Sequence, residues 1–220
     1  MTRALIGLLF LAGCPGPLQT DSESWEIEEA FDRVVLDAGV GNVSVLGEAR
    51  EGAEVDAMRS WRRRAPTVEV WVEGNALWVE ALCEGQTSHC QVDLDLVLPE
   101  GVEVEMSLGV GDVTLSDLGG EVTGEIGVGN VEATALAGPE VTLEVGTGSI
   151  DLAHQGPFDR IDTTTGVGGI DLEVPAGAYD LDLATGVGSV DTEGVTDEGS
   201  ADSVIRARTG TGSITVTGVQ

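Results

Sequence analysis

A five-residue unit that recurs seven times limits what this chain can fold into more than any other feature. The unit reads Gly-x-Gly, then a polar residue (Gly in one unit), then Val or Ile. The last six units follow one another at spacings of 18, 19, 20, 20 and 24 residues. Such a period predicts a solenoid, because a unit of this length buries its apolar face only by stacking on its neighbours. The units begin at Gly39, Gly109, Gly127, Gly146, Gly166, Gly186 and Gly210.

Apolar and polar residues alternate after the glycine pairs, as in Ile150-Asp151-Leu152. Alternation with a period of two predicts β-strands with one buried face. The glycines fit turns with positive φ or close backbone contacts, which a Cβ would obstruct. We therefore predict a parallel single-stranded β-helix, with coils of about 20 residues stacked about 4.8 Å apart. Its inward side chains would form one aliphatic stack of Val43, Val113, Val131, Ile150, Ile170, Val190 and Ile214.

The long interval between the first two units predicts ordinary strands. Aliphatic residues recur there at every second position, namely Val68, Val70 and Val72, then Leu77 and Val79, then Val92, Leu94, Leu96 and Leu98. A disulfide between Cys83 and Cys90 would tie two of these strands together as a hairpin. Helix signals are confined to about one short turn, so the predicted fold class is all-β.

The N-terminus has the layout of a secretory signal. A short start with Arg3 precedes an apolar run over residues 4–11, and Leu-Ala-Gly-Cys ends at Cys14. This tetrapeptide resembles the bacterial lipobox, which implies cleavage before Cys14 and a lipoprotein held by acyl chains such as palmitate. The alternative is an ordinary signal peptide with a cysteine at its cleavage site by chance. We expect a signal peptide over 1–13, a lipidated cysteine and flexible tether over 14–30, and one domain over 31–220.

The two remaining cysteines favour a disulfide, because an even number in an exported chain is typical of paired thiols. Cys83 and Cys90 enclose a loop of eight residues, counting both cysteines. The alternative is a metal site formed by both thiols with His89 and His154, although the spacing of the cysteines matches no known zinc motif.

Charge and missing motifs exclude several classes of protein. The chain has 39 acidic and 10 basic residues, and the formal net charge is −29. A surface this acidic repels phosphate, so we exclude nucleic acid as a partner. The sequence contains neither the GxSxG motif of hydrolases nor the HExxH motif of zinc proteases. We expect no enzymatic activity and no cofactor.

One row of the predicted coils is acidic. It would place four carboxylates about 4.8 Å apart, which costs about 0.9 kcal/mol per adjacent pair in water before salt screening. Either divalent cations such as Ca²⁺ relieve this repulsion, or the side chains splay apart on a solvated face. The row comprises Glu132, Asp151, Asp171 and Asp191.

One basic cluster surrounds Trp61. Arg side chains bind phosphate through two parallel hydrogen bonds and stack on Trp, which suits lipopolysaccharide phosphate or an acidic glycan. The alternative is internal pairing with this acidic protein. The cluster comprises Arg59, Arg62, Arg63 and Arg64.

Three short stretches and the repeat together resemble a known family. The stretches are Phe31-Asp32-Arg33-Val34, Leu98-Pro99-Glu100-Gly101 and Val174-Pro175-Ala176-Gly177. With the Gly-x-Gly units they resemble the toastrack domains, proposed adhesins of bacterial envelope proteins with a single-stranded β-helix fold. The resemblance covers residues 31–220 and implies that fold, with no established catalytic residues to carry over.

These features predict a non-catalytic, lipid-anchored envelope protein that acts as an adhesive or binding module through its repeated faces. The first alternative is a structural or sensory envelope component that docks a membrane partner, as in the envelope stress response. The second is a β-helix enzyme that acts on polysaccharides. We expect contact with the membrane through the lipid and an envelope glycan or protein as partner. Pro15 rather than Asp follows the anchor cysteine, which by resemblance to enteric lipoprotein sorting rules implies the outer membrane as location.

Overall fold

The chain folds into two β-sheets of ten strands each in a computed structural model that describes residues 16–83, 85 and 88–220. No helix occurs among these residues, which confirms the all-β prediction. A helix long and apolar enough to span a membrane is accordingly not found in the described part of the chain.

Residues 103–175, the repeat region, alternate regularly between the two sheets. Even-numbered strands here belong to one sheet, sheet B, and odd-numbered strands to the other, sheet A. Each strand pairs in parallel with the equivalent strand of the next coil, as a β-solenoid requires. The strands are β8 (Glu103–Val110), β9 (Val113–Ser116), β10 (Val122–Val128), β11 (Val131–Leu136), β12 (Glu140–Thr147), β13 (Ile150–His154), β14 (Arg160–Val167) and β15 (Ile170–Pro175).

The N-terminal region is less regular. β2 and β3 form one coil in register with β8 and β9, but three strand pairs are antiparallel: β1 with β4, β4 with β7, and β5 with β6. Its strands are β1 (Gln19–Ile27), β2 (Arg33–Val40), β3 (Val43–Glu48), β4 (Ala53–Trp61), β5 (Thr67–Glu73), β6 (Ala76–Leu82) and β7 (Cys90–Pro99).

The C-terminal strands depart from the sequential order that we predicted. The last two strands insert between the repeat region and the strands that precede them in the chain, so β20 separates β15 from β17 and β19 separates β14 from β16. With the antiparallel pairs, this mixed order means that a single-stranded helix does not describe the whole chain. The strands are β16 (Gly177–Val187), β17 (Val190–Glu193), β18 (Val195–Asp197), β19 (Val204–Thr211) and β20 (Ile214–Val219).

Six of the seven residues of the predicted aliphatic stack lie in register inside the molecule and are buried. The exception is Val190, which is 39% exposed. The stack runs from Ile170 to Ile214 and only then to Val190, because β17 is the edge strand of sheet A. The prediction is therefore wrong for the position and burial of Val190.

The glycines of the repeat stack in columns with no room for a Cβ. Gly129 has a φ of +151°, and a Cβ built there would lie 1.7 Å from the carbonyl oxygen of Gly111 in the neighbouring coil. A Cβ on Gly127 would lie 2.5 Å from the carbonyl oxygen of Gly109. The turns between the two sheets therefore require glycine for both backbone conformation and contact.

Two predictions for the N-terminal region need correction. Cys83 and Cys90 form the predicted disulfide, but it joins the end of β6 in sheet B to the start of β7 in sheet A and does not close a hairpin. The hairpin is instead β5–β6, which turns at Gly74 and Asn75. The tether predicted over 14–30 is wrong for Gln19–Ile27, which forms β1 and pairs with β4.

Candidate binding site

Alternating residues of sheet B point outward and form straight rows across the strands. One row, the tryptophan row, crosses six neighbouring strands from β5 to β12 in exact register. Parallel to it, two residues away on each strand, lies a second row with five carboxylates, the sheet-B acidic row. The tryptophan row comprises Trp71, Trp78, Val35, Glu105, Thr123 and Thr142, and the sheet-B acidic row comprises Glu69, Glu80, Asp37, Ser107, Glu125 and Glu144.

The two tryptophans lie opposite each other on the antiparallel pair β5–β6. Their ring centroids are 5.9 Å apart and their planes differ by 10°, so the rings stack. Trp71 is 38% exposed, and Trp78 is partly buried. Such cross-strand aromatic pairs stabilise a sheet, but a tryptophan on an outward face also offers its π-surface to a ligand.

A shallow groove of about 400 Å³ runs between the two rows. It extends from β6 to β12, which is four strand spacings or about 19 Å along the solenoid. Trp78 lies at one end, and the groove then passes over Val35. Its charged lining residues are all carboxylates, namely Asp37, Glu105, Glu125 and Glu144.

These four carboxylates have no hydrogen-bond or ion-pair partner within the described residues. Further along sheet B the situation changes, because Arg206 lies between Asp162 and Asp182, at 4.0 and 3.9 Å. Arg208 also pairs with Asp182. The negative charge that lines the groove is therefore not compensated by ion pairs with the described residues.

The predicted row of four acids is interrupted in sheet A. Glu132, Asp151 and Asp171 are adjacent, but Thr215 separates Asp171 from Asp191 because β20 inserts there. Burial raises the pKa of Asp151 above its usual value, and the charges of Asp171 and Glu132 add to this effect. No group of three or more His, Cys, Asp or Glu side chains in the described part of the chain could hold a metal ion.

The arginines around Trp61 are partly engaged within the molecule. Arg59 on β4 forms ion pairs with Asp21 and Glu23 on β1, at 2.9 and 3.1 Å. Arg62 donates a hydrogen bond to the backbone carbonyl of Gly16 at 2.8 Å. Arg63 and Arg64 are exposed in the segment after β4. Internal pairing with acidic side chains, the alternative considered for this cluster, is therefore found for Arg59.

The two histidines lie in different places and do not share a site. His154 is buried at the end of β13, donates from Nε2 to the carbonyl of Gly138 at 2.9 Å, and packs edge-on against Phe158. Burial lowers its pKa below the usual value. The His89 Nε2 lies 2.8 Å from the Ser60 hydroxyl. Because both thiols are used in the disulfide, the alternative metal site with Cys83 and Cys90 does not form.

Cys14, the predicted lipid anchor, lies outside the described residues. The tryptophan row was not among the sites predicted from the sequence. A signal for it does exist, because Trp71 and Trp78 occupy outward positions in alternating strands, where polar residues are usual. The pairing of distant strands that forms the groove has no comparable local signal.

The fold is similar to that of solved structures. A proposed cell adhesion protein from Clostridium sporogenes superposes with a TM-score of 0.59 and 18% identity, covering 91% of this chain and all of that chain. A proposed adhesin from Bacteroides fragilis matches over 91% of this chain and 97% of that chain, with 12% identity and a TM-score of 0.47. No protein-family profile and no curated protein sequence matches the chain significantly. The similarity to the Clostridium protein shows the shared fold.

Proposed function

We propose that this protein is a non-catalytic adhesive module of the cell envelope, built as a toastrack-like β-helix and anchored in the outer membrane by lipid on Cys14. The fold shared with a proposed cell adhesion protein supports the adhesive role. The Leu-Ala-Gly-Cys motif supports the anchor. Two acyl chains or more would hold the domain at a membrane, whereas one chain binds only reversibly.

The observation that carries the proposal is the flat outer face of sheet B. Its rows hold side chains of equivalent positions at about 4.8 Å intervals over six strands, with a stacked pair of tryptophans at one end, of which Trp71 is exposed. A rigid sheet can present such rows without the loss of conformational entropy that a loop would suffer on binding. This face can therefore bind an extended partner at several points at once.

Attachment of cells tests the adhesive role. We expect cells that lack the gene to attach to a layer of unmodified cells of the same strain at least tenfold less than the parent strain does. The purified full chain, added in excess, should inhibit attachment of the parent strain because it occupies the same partners. Equal attachment of the two strains would contradict the proposal.

Labelling with radioactive palmitate tests the anchor. The wild-type chain should incorporate the label and sediment with outer membranes, whereas Cys14→Ser should incorporate none. Cys83→Ser is the matched control, because it removes a cysteine that we place in the disulfide, and it should retain the label. Label that persists in Cys14→Ser would refute the anchor without bearing on the adhesive role.

A further inference from the structure

The sheet-B groove presents one carboxylate from each of four neighbouring strands. Asp37 extends from β2, Glu105 from β8, Glu125 from β10 and Glu144 from β12, and all four side chains are exposed. Adjacent strands lie about 4.8 Å apart, so these charges follow one another along the groove. Asp37, Glu125 and Glu144 lie in the sheet-B acidic row, whereas Glu105 lies across the groove in the tryptophan row. The charges thus flank the groove along its length, which suits an extended ligand better than a compact one.

The side-chain polar groups that line the groove are rich in acceptors. Besides the carboxylates, they comprise the hydroxyls of Ser107, Thr123 and Thr142. Ionised carboxylates only accept hydrogen bonds, and no Lys, Arg, Asn or Gln lines the groove. A complementary ligand must therefore supply donors and positive charge at short intervals.

The tryptophans at the β5–β6 end favour the same chemistry. Ammonium and guanidinium groups are attracted to the face of an indole ring, and a planar guanidinium also stacks on it. Trp71 and Trp78 stack on each other, and Trp78 is partly buried, so neither ring offers both of its faces. Because four carboxylates line the groove beside Trp78, a cationic side chain such as that of Arg or Lys fits this arrangement better than an uncharged sugar ring.

The acids on sheet A provide a contrast. Glu132, Asp151 and Asp171 line a smaller cavity of about 190 Å³, and no aromatic side chain borders it. Negative charge is therefore common on this protein, and this sheet-A cavity lacks the aromatic side chain that the sheet-B groove has in Trp78.

We propose that the sheet-B groove binds an extended segment of a partner protein that is rich in Lys and Arg. Its basic side chains would pair with Asp37, Glu105, Glu125 and Glu144, and one of them would stack on Trp78. This inference rests on the proposed adhesive function, because it names the partner chemistry of the same face.

Binding of a fluorescent peptide of ten alternating Arg and Ser residues to the purified full chain tests the inference. We expect saturable binding that weakens as salt concentration rises, whereas a Glu-Ser peptide of the same length should not bind. The triple variant Glu105→Gln, Glu125→Gln, Glu144→Gln should bind at least tenfold more weakly. Trp78→Leu should also weaken binding, and more for the Arg-Ser peptide than for a Lys-Ser peptide.

The matched control is the triple variant Glu132→Gln, Asp151→Asn, Asp171→Asn. It changes the net charge by the same amount but on sheet A, so it should bind the peptide as the wild type does. An equal loss in both triple variants would overturn the inference in favour of non-specific attraction. Tighter binding of a glucosamine oligomer than of the peptide would also overturn it, because the partner would then be a glycan.

The cell attachment assay separates this inference from the adhesive function. If cells carrying the sheet-B triple variant attach as the parent strain does, while cells lacking the gene do not, the groove is not the adhesive site. The inference then fails and the proposed function stands.

Discussion

The repeat region and the N-terminal region use the same two sheets but reach them by different means. From β8 to β15 every coil repeats the last, and register follows from stacked glycine turns and a continuous aliphatic stack. From β1 to β7 the chain uses antiparallel pairs, a hairpin and a disulfide. The stacked tryptophans lie in this second region. The repeat region thus forms the regular part of both sheets. The irregular N-terminal region supplies the two stacked tryptophans at one end of the groove.

Substitutions in the aliphatic stack should give the largest difference in the free energy of unfolding between a buried position of the repeat region and an exposed edge position. Ile170→Ala removes a fully buried side chain between Ile150 and Ile214, and we expect it to lower the free energy of unfolding by about 4 kcal/mol. Val190→Ala, on the exposed edge strand, should cost less than about 1 kcal/mol. Urea unfolding of both variants measures the difference, and similar losses would contradict the strand order of sheet A.

Substitution of a glycine in the stacked columns should give the next largest loss of stability. Gly127→Ala places a methyl group 2.5 Å from the carbonyl oxygen of Gly109, so the coils must separate locally, at a cost of about 3 kcal/mol. The control is Gly101→Ala, where a Cβ has no heavy atom within 4 Å, and its effect should stay within about 0.5 kcal/mol. Thermal unfolding compares the two, and a stable Gly127→Ala variant would show that the coils do not stack through this turn.

The disulfide should matter most in the region that has no repeats. Replacing both Cys83 and Cys90 by Ser should lower stability by about 2.5 kcal/mol, because the unfolded chain regains the entropy of an eight-residue loop. We expect hydrogen exchange to increase in β6 and β7 but to change little in β12 to β15. Uniformly faster exchange across both sheets would contradict this local role.

The sequence predicted the repeat region well and the two ends poorly, for a physical reason. In the repeat region, the residues that fix register lie within one turn, so Gly127 and Val131 already indicate how their coil stacks. The position of β20 depends instead on the pairing of Ile170 with Ile214, and no local pattern distinguishes this from the pairing of Ile170 with Val190, the next unit along the chain. Likewise, Gln19–Ile27 is polar enough to resemble a tether in the sequence. Its strand structure depends on pairing with β4, which no local pattern indicates.

The candidate site shows the same limit. The sequence pattern singled out the carboxylates of Glu132, Asp151 and Asp171, because they recur at one position of the repeat. The sheet-B groove instead combines Trp78 with Glu105, which lie on strands separated by β2. Only the three-dimensional order of the strands brings them to one groove.

A buried histidine offers a pH-dependent test within the repeat region, at the irregular connection from β13 to β14. The pKa of His154 is lowered in the folded state by burial, so below about pH 6.5 the unfolded chain binds more protons than the folded one. The free energy of unfolding should therefore fall as the pH drops from about 6.5 through the folded pKa. His154→Gln should remove this component of the pH dependence while retaining a donor to Gly138, whereas His89→Gln should not. An unchanged pH profile in His154→Gln would contradict the assignment.

The smallest expected effect concerns the acids of sheet A. The pKa of Asp151 is raised in the folded state, so ionisation of this carboxyl favours unfolding, and stability falls as the pH rises from about 3.8 through the folded pKa. Asp151→Asn should therefore stabilise the protein at pH 7 by about 0.3 kcal/mol, a small gain because solvent screens this largely exposed group. Asp191→Asn makes the same change of charge beside Thr215, and we expect no gain there. Urea unfolding of both variants at pH 7 and pH 3 separates the local effect of burial and of repulsion by Asp171 and Glu132 from the effect of net charge. Equal stabilisation of the two would mean that the repulsion is spread over the whole acidic surface and that the interruption by β20 makes no difference.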